Sequence, residues 1–78
     1  MPVITRCVKE IKKRENVIIR ISKGTHIGYD YAEIRQFIRD RHGEYQPTKK
    51  GFTFPPKILD ELIEGLTALK EKFPELSA

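Results

Sequence analysis

The sequence predicts an α+β fold: a four-stranded curved antiparallel sheet followed by one C-terminal helix, in the order β-β-β-β-α. Three observations predict it. Apolar and polar residues alternate with a period of two over much of residues 3–54, the strand period. From Ile58 onward the apolar residues recur at spacings of one, three and four, the helix period. With 78 residues the chain makes one domain, spanning 1–78.

Residues 3–12 carry two signals. Val3, Cys7, Val8 and Ile11 fit helical spacing, but Val, Ile and Thr favour extended backbone, and a strand is expected. In the next segment Val17, Ile19 and Ile21 alternate with Ile18, Arg20 and Ser22, so a strand turns an apolar odd face one way and Arg20 the other. Ser22–Gly28 holds the turn formers Gly24 and Gly28. A long strand over 29–39 follows, with Tyr29, Tyr31, Ile34, Phe37 and Ile38; Ile34 and Phe37 differ in parity, which calls for a β-bulge or a strong bend. After a turn at His42–Gly43, residues 48–54 alternate again, with Phe52 and Phe54 on one face as expected core residues. The helix is expected over 56–73. Pro56 suits a first turn, Asp60, Glu61 and Glu64 suit its N-terminal half, and Pro74 ends it. Its stripe of Ile58, Leu59, Leu62, Ile63, Leu66, Leu69 and Phe73 is too apolar to leave in water, so Leu59, Leu62, Ile63, Leu66 and Leu69 are expected to face a core or a dimer partner.

So short a chain has a marginal core of its own, worth ~3–5 kcal/mol. Cys7 is the lone cysteine, so no intrachain disulfide adds to it, and it reads as a small buried apolar residue. No Cys/His cluster has metal-ligand spacing, and His26 and His42 read as exposed loop residues. Oligomerisation is the remaining source of stability. No apolar run has the length of a signal peptide or a membrane helix, so the protein is expected inside the cell and without a membrane partner.

Charge is divided unevenly. Residues 1–57 hold thirteen Lys/Arg against six Asp/Glu, a net of +7, and residues 58–78 hold two against five, a net of −3. A basic body with an acidic end points to a polyanion-binding face and a separate face for something else. No phosphate loop, catalytic triad or acid pair is present, so an enzyme, a small-molecule substrate and a cofactor are not expected. Arg20, Lys23, Arg35, Arg39, Arg41, Lys49 and Lys50 lie in or beside the strand segments, with Tyr29, Tyr31, Phe37 and Tyr45 among them. Cations that track phosphates, interleaved with rings that stack on bases, suit single-stranded nucleic acid. Duplex DNA is more often read by a helix in the major groove, and the helix here is acidic on its polar face.

The run Glu33-Ile34-Arg35-Gln36-Phe37, then Gly43-Glu44-Tyr45-Gln46-Pro47-Thr48-Lys49-Lys50-Gly51-Phe52-Thr53-Phe54 and Pro56, resembles the positive cofactor four family of transcriptional coactivators. Val17-Ile18-Ile19-Arg20 with Lys23-Gly24 resembles that family's preceding strand and turn, and the likeness spans about residues 16–66. The resemblance implies a homodimer that binds single-stranded or unwound DNA largely without regard to sequence. It also implies an interaction with the transcription machinery. The matched DNA-contacting positions are Arg20, Lys23, Arg35 and Lys50, with Lys49 as a helper and Gly51 allowing close backbone approach.

The sequence departs from the family at several points. Ile38 stands where the family often has Trp, and Ser22 where it often has an aromatic. Gln46 replaces a common Lys, Thr48 a common Gly, and Pro55 the usual Asn cap before Pro56. The connection from Gly24 to Glu33 is about four residues longer than usual and carries His26, Tyr29 and Tyr31, so Tyr29 is expected to supply the stacking lost at Ser22 and Ile38. The acidic, Ser-rich tail of eukaryotic members is missing. A compact bacterial, archaeal or phage member is expected, located in cytoplasm or nucleoid, or else an excised domain of a nuclear protein. Two other readings stay open. One is a protein-interaction module working through the helix stripe. The other is RNA in place of DNA, since the 2′-OH readout is not visible in sequence.

Overall fold

The computed structural model describes residues 4–77; Val3, the first apolar position of the ambiguous N-terminal segment, lies outside the described residues. Four strands, β1 (Ile4–Arg14), β2 (Val17–His26), β3 (Tyr29–Arg39) and β4 (Tyr45–Phe54), pair in chain order as an antiparallel meander. A 3-10 turn (Pro56–Ile58) leads into helix α1 (Leu59–Lys72), and a second 3-10 turn (Pro74–Ser77) follows. The β-β-β-β-α order is the one expected from the sequence.

Local chemistry explains the boundaries. β1 is a strand because its β-branched content outweighs the helical spacing. It meets β2 through the two-residue turn Glu15–Asn16, where Asn16 takes a positive φ of 63°. Asn tolerates that backbone better than most residues. β2 runs on to His26, four residues past the expected start of a turn at Ser22. Gly24 is thus a strand residue, and its missing side chain leaves room for the Tyr31 ring, whose Cζ and Oη occupy the space of a Cβ. The real turn is Ile27–Gly28, closed by the His26–Tyr29 pair, with φ of 50° and 76°. Positive φ at both positions is what a two-residue hairpin of type I′ demands. At the helix, Pro55 offers no side-chain cap and neither Pro55 nor Pro56 has an N–H, so the first turn is 3-10, held by the Ile58 amide donating to the Pro55 carbonyl at 3.2 Å.

Directly paired residues point to the same side of a sheet. One face holds Ile21, Ile34 and Phe52 in one register row and Lys23, Ala32 and Phe54 in the next, and α1 lies over this face. The opposite face holds Arg20, Arg35 and Gly51 in a row, flanked by Ser22–Glu33–Thr53 and by Ile18–Phe37–Pro47. Among the described residues no helix covers this face, the open face of the sheet. The β2–β3 register is unbroken from Val17–Ile38 to His26–Tyr29. The expected bulge in β3 is therefore absent: Ile34 faces the helix and Phe37 faces away, each with its own neighbours. The irregularity lies in β4, where Thr48, Lys49 and Lys50 together span the interval opposite Gln36.

The core of one chain is thin. Val17, Ile18 and Phe54 are its buried apolar side chains among the described residues, and none is fully enclosed. Phe52 packs beside Phe54 with tilted rings whose centroids are 5.6 Å apart but remains 49% exposed, short of the core position expected for it. Cys7 is exposed, contrary to expectation, because it pairs with Ser22 and so faces the side that no helix covers. Gln36 is buried, with its amide oxygen accepting from Lys13 Nζ at 2.8 Å and its carbonyl from Thr48 Oγ1 at 2.7 Å.

Candidate nucleic-acid interface

The two arginines of the open face are held by neighbouring carboxylates. Arg20 Nε donates to Glu10 Oε1 at 2.8 Å across the β1–β2 pair, and its guanidinium sits 4.5 Å from the centre of the Phe37 ring. Arg35 Nε donates to Glu33 Oε2 at 2.9 Å, and Nη1 to the Thr48 carbonyl at 2.8 Å. A guanidinium has five N–H donors. Among the described residues these contacts engage one on Arg20 and two on Arg35, so both retain donors for an anion. The carboxylates fix the side chains and restrain their rotamers, which lowers the entropy lost when a phosphate binds.

The β4 bulge puts two lysines beside this row. Thr48 Oγ1 donates to the Gln36 carbonyl at 2.7 Å and accepts from the Lys50 amide at 3.1 Å, closing the extra loop of backbone. Lys49 and Lys50 are exposed and belong to none of the three ion pairs among the described residues. Gly51 ends the bulge opposite Arg35 with φ of 151°, and a Cβ there would meet the Ile34 carbonyl oxygen at 2.5 Å. The expected close approach at Gly51 is thus between strands of this chain.

Arg20, Arg35 and Gly51 share one register row, and Lys49 and Lys50 directly precede Gly51 in the bulge. Lys23 is apart from them: it pairs with Ala32 on the helix side and lies 3.8 Å from Asp30. Of the two positions lacking a ring, Ser22 shares the open face and Ile38, paired with Val17, does not. Glu10, Glu33 and Thr48, which position the arginines, escaped the sequence reading. A Glu–Arg pair across a hairpin was the available signal, but its register depends on an irregular β1.

β3 continues the row beyond Glu33 with Tyr31 and Tyr29. His26, Ile27, Tyr29, Tyr31 and Thr53 line a shallow cleft of about 480 Å³ there. Tyr29 is 77% exposed. At the other end, the β3–β4 loop is tied by Asp40, whose carboxylate accepts from the amides of His42 at 2.8 Å and Glu44 at 3.0 Å and from Gln46 Nε2 at 3.1 Å. The Glu44 amide, then the Gln46 side chain, the His42 amide and the nearby Arg39 charge hold this carboxyl below the usual aspartate range.

On the helix side, α1 stands off from the sheet and leaves an apolar groove of about 540 Å³. Val8, Ile21, Ile34 and Phe54 line one wall, and Leu59, Leu62, Ile63 and Leu66 the other. No residue of α1 is buried, and Leu66 is 60% exposed. The expected stripe exists, Leu69 included, yet one chain does not cover it. Among the described residues no helix is long and apolar enough to cross a membrane, and no group of three His, Cys, Asp or Glu could hold a metal.

A family model described as Transcriptional Coactivator p15 (PC4) matches residues 9–65. A PC4 homologue from Burkholderia pseudomallei K96243, in an orthorhombic crystal form, is similar with a TM-score of 0.80 and 29% identity over 83% of this chain and 88% of that one. The tetragonal form of the same protein gives 0.81 and 28%, over 86% and 98%. A bacteriophage T5 homologue of the eukaryotic coactivator PC4, implicated in recombination-dependent DNA replication, shares the fold with a TM-score of 0.62 at 23% identity, over 94% of this chain and 81% of that one. No curated protein matches the sequence.

Proposed function

The chain belongs to the Transcriptional Coactivator p15 (PC4) family, and from that premise we propose that it binds single-stranded or unwound DNA as a homodimer and thereby regulates transcription. Residues 1–78 act as one non-catalytic DNA-binding domain. The observation that carries the reading is the open-face row of Arg20 and Arg35 beside the Lys49–Lys50 bulge. Their donors meet phosphates, which every sequence presents alike, so binding is sequence-independent. A basic sheet face with exposed rings suits bases that are already unpaired. Lys23 contributes charge from the helix side of the sheet, where it lies between Arg6 of β1 and Ala32 of β3. The reading puts the protein inside the cell, where DNA is.

The dimer rests on the groove under α1. Three buried apolar residues are few for a stable domain of this size, while an apolar stripe from Leu59 to Leu69 lies open. A second copy brings an identical stripe and covers it symmetrically, by the isologous contact typical of two-fold dimers. The helix face serves as the joint, and the open faces of both copies stay available to DNA.

The test is a titration of labelled oligo-dT of about twenty nucleotides, its duplex and the matching oligo-U, at two salt concentrations. Tight, salt-sensitive binding to oligo-dT with weaker duplex binding is expected. Folded protein that fails to bind oligo-dT at low salt refutes the proposal; a clear preference for oligo-U redirects it to RNA.

A further inference from the structure

We propose that the β2–β3 hairpin carries a stacking seat for one unpaired nucleobase, built by Tyr29 and Tyr31 with His26 and Ile27 at its rim; this rests on the reading that the open face binds single-stranded DNA. The first ground is position. On β3, Tyr29, Tyr31, Glu33, Arg35 and Phe37 alternate onto the open face, so the cleft lies in line with Arg35 and continues its row. From Arg35 to Tyr29 is roughly 20 Å of strand, within reach of a few nucleotides whose phosphates rest on the arginines.

The second ground is which rings are open. Phe37 lies on the same row, but the Arg20 guanidinium already occupies its face at 4.5 Å. Phe52 and Phe54 belong to the helix side. Tyr29, 77% exposed, presents the most accessible ring of the row. An exposed ring in water gains by stacking on another flat surface, and bases supply one whatever their identity.

The third ground is how the cleft is made. Gly24 lets the Tyr31 ring lie across β2, where any side chain at that position would displace it. Ile27 holds a left-handed backbone at φ 50°, which is costly for a β-branched residue. The two-residue turn requires that conformation, and its closing pair sets His26 directly opposite Tyr29. Backbone strain of this kind concentrates at binding sites. Thr53 from β4 completes the wall, so three strands contribute to the cleft.

The experiment compares wild type, Tyr29→Ala and Tyr29→Phe on oligo-dT of about twenty nucleotides and on an abasic strand of equal length. Tyr29 is exposed, so both variants are expected to melt like wild type. Tyr29→Ala should bind oligo-dT roughly 5- to 100-fold more weakly, with its salt dependence unchanged, and Tyr29→Phe should bind like wild type. On the abasic strand all three should bind alike. If wild type prefers oligo-dT to the abasic strand and Tyr29→Ala keeps that preference undiminished, the bases stack elsewhere and the seat is refuted while the reading of the face survives. If wild type binds neither strand, the reading of the face falls, and the seat with it.

Discussion

Gly51 lies directly across from Arg35, and a Cβ at position 51 would come within 2.7 Å of the Arg35 Cα. Backbone cannot yield as a flexible side chain can, and φ of 151° is itself a conformation that L side chains rarely adopt. Gly51→Ala should therefore destabilise the protein by about 1–3 kcal/mol. The check is the urea midpoint. An unchanged midpoint would mean that β4 re-registers without cost and that the bulge is not rigid.

Lys50 tests the electrostatic part of the proposed function. Lys50→Ala should weaken binding to every single-stranded sequence by a similar factor. It should also reduce the slope of log affinity against log salt by about 0.7. Lys49→Ala should do the same. Titrations of oligo-dT and a mixed sequence at three or more salt concentrations measure both. A loss confined to one sequence would contradict a phosphate-binding role.

Leu66→Glu separates a dimer from a free-standing chain. In one chain Leu66 is 60% exposed, so a carboxylate there costs little. Against a second copy it buries an unpaired charge. The variant should sediment as a monomer and melt at a lower temperature, and the concentration dependence of wild-type melting should vanish. Wild-type melting that is independent of concentration and untouched by the substitution would remove the dimer.

Asp40 gives a pH dependence with a definite sign. Its folded pKa is depressed below the ordinary 3.8, chiefly by the Glu44 amide, so its contribution is present above the unfolded value and is lost as pH falls through the folded one. The amide resonances of His42 and Glu44 should shift on acidification with a midpoint below 3.8. In Asp40→Ala both amides should exchange faster at neutral pH. A midpoint at or above the ordinary value would show that the loop is not held by the carboxylate.

The sequence exposed those features that depend on near neighbours. β3 keeps the limits its alternation implied, and the 3.6-residue stripe located α1 to within one turn. Gly24 reads as a turn former and so shortens the expected β2, but its role, making room for Tyr31, depends on a residue of another strand. The parity clash of Ile34 and Phe37 suggests a β-bulge or a strong bend, although two apolar faces explain it equally well. Family likeness groups Lys23 with Arg20, yet its odd number in β2 puts it with Val17, Ile19 and Ile21 on the helix side. The β4 bulge was not legible, since no local pattern in Pro47–Gly51 says how many of its residues oppose Gln36.

Among the described residues the meander of four strands ends in two unpaired edges, β1 and β4. Such edges invite another sheet to add on and ribbons to grow. β4 meets the hazard with Pro47, which lacks a donor, with two surplus residues that break the ladder, and with Lys49 and Lys50. β1 carries Arg6, Lys9, Lys12, Lys13 and Arg14 along its length. The same cations that would draw a polyanion thus repel a like-charged neighbour from adding to the ladder. Neutralising them together should make concentrated protein self-associate as well as bind DNA less tightly.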